Sequence, residues 1–96
     1  MKTQSSAARE AAEMLAIQAL AFLAEEPARL SAFLDLSGIP AADIRTAARE
    51  RGFLAGVLEH MLADESLLIA FADRAGIDPA EIVRARRALG GAVRRI

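Results

Sequence analysis

The chain has 96 residues, room for one domain or two small halves sharing a core. It holds no Cys, Trp or Tyr, which excludes a disulfide framework and thiolate metal centres, and its wealth of Ala, Leu, Arg and Glu points to an all-α protein. The net charge of −1 specifies no partner, but residues 1–83 carry seven basic and thirteen acidic side chains whereas residues 84–96 carry five Arg and no acid, a tail suited to an anionic partner or to folding back on the acidic body.

Residues 1–5 are expected to be loosely ordered, ahead of a single helical domain over residues 6–96. The first helix is predicted from about Ser6 to Ala24. From Met14 on it is apolar on almost every side, interrupted by Gln18, so it reads as the buried central helix. This run is far short of the ~20 residues a bilayer needs. Glu10, Glu13, Glu25 and Glu26 flank it, which argues against a signal peptide, and the chain is read as cytoplasmic with no membrane association.

Glu25-Glu26-Pro27 stops that helix and starts a second, since Pro suits a first helical turn. The second carries Leu30, Phe33, Leu34 and Ser37 on one side and ends at Gly38. A third, from about Pro40 to Glu50, has only a thin stripe of Ile44, Ala47 and Ala48, and Gly52 is expected to break it. The fourth, Phe53 to Ala63, has the cleanest stripe: Phe53, Leu54, Val57, Leu58, Met61 and Leu62. Asp64 is placed to cap the fifth, Glu65 to Ala75, which ends at Gly76. Asp78-Pro79-Ala80-Glu81 then opens the sixth with a capping acid, Pro first and Glu third.

The chain also matches itself at an offset of 38 residues. Leu20, Leu30, Phe33, Asp35, Gly38, Ile39, Ile44, Ala47 and Arg49 meet Leu58, Leu68, Phe71, Asp73, Gly76, Ile77, Ile82, Ala85 and Arg87. Two pseudo-repeated three-helix units, residues 15–50 and 53–88, would each leave an apolar face exposed alone, and packing those faces together gives a compact bundle of about six short helices. The alternative is that two glycine-ended helices simply look alike.

The second unit carries the sharpest local pattern. Ala72, Gly76, Ile77 and Ile82 have the spacing of a helix-turn-helix, which would set Val83, Arg84 and Arg87 toward a major groove and Arg94 and Arg95 toward phosphates. Against this, Asp78 and Glu81 stand where a recognition helix meets phosphate, and Gly90-Gly91 is expected to end the helix. Arg is also the default cation of this chain, with eleven Arg to one Lys.

His60 is the only His and lies one turn before Asp64. A catalytic or metal role would pair it with Asp64 or Glu59, but a metal wants further ligands, and the plainer reading is an i,i+4 contact with Asp64 near a helix end. Gln18 is read as a polar residue hydrogen-bonded within buried surroundings. No phosphate-cradling loop and no nucleophile–base pair is present in the sequence, so no catalytic, cofactor-binding or metal residue is assigned and no enzyme activity is expected.

Leu20-Ala21-Phe22-Leu23-Ala24, the Ser37-Gly38 turn, Gly52-Phe53-Leu54, Leu62-Ala63-Asp64-Glu65-Ser66-Leu67-Leu68 and Ala75-Gly76-Ile77-Asp78-Pro79 together resemble a small α-proteobacterial family, domain of unknown function 3572. The resemblance covers about residues 10–90. It implies a short, single-domain, cytoplasmic bacterial protein and brings no catalytic residue, cofactor or partner. What remains is a protein-interaction or regulatory module, binding a protein partner or a second copy of itself. The candidate partner surface is Ile69, which falls off its helix's apolar stripe, with Asp64, Glu65 and His60. The alternative is a nucleic-acid-binding module using Arg84, Arg87, Arg94 and Arg95.

Overall fold

A computed structural model of the chain describes the backbone of residues 2–90 and the side chains of residues 7–90. All regular structure among these residues is helical: α1 (Lys2–Ala24), α2 (Pro27–Ser37), a 3₁₀ turn (Ala41–Asp43) running into the single-turn α3 (Ile44–Ala47), α4 (Arg51–Leu62), α5 (Glu65–Ala75) and α6 (Pro79–Ala88). α1, α4 and α6 pack on one another, α2 covers α1 and α4, and α5 covers α4 and α6. The radius of gyration, 12.9 Å, is close to the ~12.5 Å expected of a compact domain of this length.

One core holds these elements together. Leu23, Val57, Leu58, Met61 and Ile82 are fully buried, and Ala16, Ala19, Leu54, Phe71 and Leu89 close around them. Each large side chain withdrawn from water in this way contributes about 1.5–3 kcal/mol. Small residues do the spacing: Ala12, Ala16 and Ala19 on α1 lie buried in the core to which Ala85 of α6 also belongs. Two aromatic groups tie the outer helices down. Phe22 of α1 meets Phe71 of α5 at 5.4 Å between ring centroids. Phe33 of α2 sits between Phe53 and His60 of α4, at 5.6 and 5.1 Å.

The helix ends follow from local chemistry. Asp64 accepts a hydrogen bond from the Leu67 backbone N–H at 3.2 Å, and Asp78 accepts one from Ala80 at 2.9 Å, so each carboxylate caps the helix it precedes. α2 has no side-chain cap and begins instead with Pro27 at its first turn. Gly38 and Gly76 end α2 and α5 at φ 74° and 71°, the left-handed conformation that L-residues resist.

Five expectations are corrected. α1 is not buried on every side: Met14, Ile17, Gln18 and Ala21 are exposed, because a helix offers its full circumference only when neighbours surround it, and α1 has neighbours on one side. Gln18 therefore satisfies no buried partner. The third helix is reduced to a 3₁₀ turn and one α turn, since Ile44, Ala47 and Ala48 bury too little to order eleven residues. Gly52 does not break it; Gly52 lies in the first turn of α4, which starts at Arg51. α1 also starts at Lys2, ahead of the Ser6 expected.

Candidate functional site

α1 is the element with the most to spare. Its 23 residues make a rod about 35 Å long. At 100° per residue, Ala12, Ala16, Ala19, Leu20 and Leu23 form the stripe that enters the core, and all are buried. The opposite stripe is Ala7, Ala11, Met14, Gln18 and Ala21, with Ile17 on its margin, and all six are exposed. Met14 is 63% and Ile17 48% accessible, a turn apart on one face. Only Glu10 brings a charge to this face between Ala7 and Ala24.

The face runs into a groove. Ala8, Ala11, Met14, Leu15 and Gln18 of α1 form one wall, and Glu81, Arg84, Ala85 and Ala88 of α6 form the other, around an open space of about 490 Å³. The groove is shallow because alanines line both sides, and alanine leaves the helix backbones close to the surface. It is mostly apolar, with the Glu81 and Arg84 side chains at its α6 rim.

The residues singled out from sequence fall in several places. Ile69 is 52% exposed on α5. Glu65 is exposed in the first turn of α5, and Asp64 before it is engaged as that helix's cap. His60 is half-buried on the far side of the turn, edge-on to Phe33, and makes no ion pair with Asp64. The four are thus divided among an aromatic contact, a cap and two exposed positions.

Arg84 and Arg87 are exposed on α6 with Val83 beside them, while Ile82, Ala85 and Leu89 turn inward. Arg94 and Arg95 lie outside the described residues. The α6 N-terminus, where a bound phosphate would sit, is already occupied by the Asp78 carboxylate. Arg86 between the two exposed Arg is structural. Its Nε donates to Glu59 Oε2 at 2.8 Å, its Nη1 donates to the Gly90 carbonyl at 3.0 Å, and its Nη2 pairs with the same carboxylate oxygen. Arg74 is likewise held by Glu25 through two bonds of 2.7 Å. Among the described residues no three His, Asp or Glu side chains gather as a metal-binding group would.

Residues 9–92 match a family described as "Protein of unknown function (DUF3572)". The chain belongs to this family. No curated protein and no solved structure matches it. Among the described residues, no helix of this family member is long and apolar enough to cross a membrane.

Met14 and Ile17 are the residues that sequence reasoning misplaced. The signal was present as the spacing 7, 11, 14, 18, 21, a second stripe at helical period on the side opposite 12, 16, 19 and 23. Alanine on both sides of the helix hid it, because hydrophobicity alone does not say which of two apolar stripes meets the core.

Proposed function

We propose that this protein is a small helical interaction or regulatory module that docks a protein partner on the outer face of α1 and does no catalysis. One observation carries the reading: two large apolar side chains, Met14 and Ile17, stand exposed a turn apart on a stripe whose other members are Ala7, Ala11, Gln18 and Ala21. A scattered exposed leucine such as Leu36 needs no explanation, but a continuous apolar strip along a helix is the usual mark of a contact surface. A strip flanked by a single cation, Arg84, which shares the α6 rim with Glu81, favours a protein helix over nucleic acid, whose phosphates require several Lys or Arg. Arg84 and Arg87 belong to α6, where Asp78 and Glu81 offset them.

The test compares the wild-type chain with the double variant Met14→Glu/Ile17→Glu as baits in lysate of the native cell. Both positions are exposed, so the variant is expected to keep wild-type far-UV circular dichroism and to lose at least tenfold of any specifically recovered protein. Equal recovery by both baits would move the docking surface off α1.

A further inference from the structure

We propose that a second groove, between α4 and the end of α6, is the seat of this chain's own residues 91–96, which close it as an intramolecular strap. The α1 face plays no part in this.

α4 carries two glycines a turn apart, Gly52 and Gly56, and neither has the positive φ that calls for glycine. Glycine inside a helix weakens it relative to alanine, because its backbone has more freedom to lose. Nothing in the described fold demands that loss. A Cβ added at Gly52 or Gly56 would meet nothing within 4 Å, so alanine would fit at both positions. Glycine in such a place serves the close approach of a further backbone.

The two glycines floor a space of about 450 Å³, with Ala55 and Leu89 beside them and the Glu59–Arg86 pair at one end. Gly90 lines the same space, and Arg86 Nη1 donates to its carbonyl at 3.0 Å. The chain therefore leaves α6 at the mouth of the groove. Residues 91–96, Gly-Ala-Val-Arg-Arg-Ile, follow directly and lie outside the described residues. Six residues reach up to about 20 Å, well beyond the ~10 Å along α4 from Gly52 to Glu59. A segment tethered at the mouth has an effective concentration on the order of millimolar, so a few apolar contacts suffice to hold it. Gly91 and Ala92 are small enough to pass close to a glycine floor, and Val93 and Ile96 bring the apolar side chains that hold the strap down. A seated strap withholds this groove from partners, in contrast to the α1 strip.

A double-mutant cycle in the full chain, followed by thermal unfolding, tests the strap. Gly56→Ala improves the helix and, in an open groove, raises Tm by about 4–8 °C. In the wild-type background the added methyl meets the strap, and Tm is expected to hold or fall. In the Val93→Ser/Ile96→Ser background the strap has lost its apolar grip, and the same substitution is expected to give the full rise. Val93→Ser/Ile96→Ser alone is expected to lower Tm. Gly56 contributes no side chain to the core, so Gly56→Ala leaves the packing of α1, α4 and α6 intact. An equal rise in both backgrounds overturns the inference, since the groove is then open. No rise in either overturns it too, because something other than residues 91–96 then fills the groove, and so does a Tm indifferent to Val93→Ser/Ile96→Ser alone.

Discussion

Gly76 closes α5 with two backbone hydrogen bonds, its own N–H to the Asp73 carbonyl and the Ile77 N–H to Ala72, at 3.3 and 3.0 Å. Ile77, just beyond, tucks against the core, which completes a Schellman end. Gly38 does similar work for α2 with a single bond from its N–H to Leu34, at 2.8 Å. A Cβ added at either glycine would meet nothing within 4 Å. The cost of substitution is therefore conformational, not steric. Gly76→Ala is expected to lose about 1 kcal/mol, and Gly76→Asn less, because Asn tolerates the left-handed region. Urea denaturation followed by circular dichroism measures both. An alanine variant as stable as the wild type would mean that α5 ends without a left-handed residue.

At the scale of the element, α6 depends on Arg86. Leu89 fixes the end of α6 from inside, and Arg86 fixes it from outside by spanning Glu59 of α4 and the Gly90 carbonyl. The Arg86 side chain is 14% exposed and Glu59 58%, so the pair is partly screened and its loss is modest. Arg86→Ala is expected to cost about 1–2 kcal/mol and to speed amide exchange in residues 83–90 more than in α2. Glu59→Gln should cost less, since Arg86 keeps its bond to Gly90. Equal exchange in the Arg86→Ala variant would show that apolar packing alone holds this end. Arg74 is 61% exposed and Glu25 45%, and that pair should contribute little.

The elements themselves were legible wherever a residue with one conformational role stood at a boundary. Pro27, Gly38, Asp64, Gly76 and Asp78-Pro79 each mark a helix end found in the structure. The segment between Pro40 and Glu50 has no such residue after its start and too few large apolar groups, and there the expected helix shrank to little more than a turn. The faces were harder than the boundaries. Met14 and Ile17 read as core because they are apolar, and only the positions of α2, α4 and α6 around α1 decide otherwise. The site was illegible for the same reason. Ile69 stood out from its neighbours on a mixed helix, whereas Met14 was camouflaged on an apolar one.

For the whole molecule the question is whether residues 15–50 and 53–88 behave as two units or one. The equivalence of Phe33 with Phe71 and of Gly38 with Gly76 suggests separable halves. The packing argues the other way. α1 contacts α6 and α4 more extensively than it contacts α2, its neighbour in sequence, and a single cluster joins Leu23, Phe33, Leu58, Phe71 and Ile82. Neither half retains a core when the other is removed, so unfolding should be one cooperative transition. A domain of this length has about 5–15 kcal/mol to lose. Phe33→Ala in the first half is expected to remove about 3–5 kcal/mol and Ile82→Ala in the second about 2–5 kcal/mol. Both should shift one and the same transition when circular dichroism and amide exchange are compared. Two separate transitions, with Phe33→Ala moving one and Ile82→Ala the other, would show that the halves are independent and that the α1–α6 contact adds little.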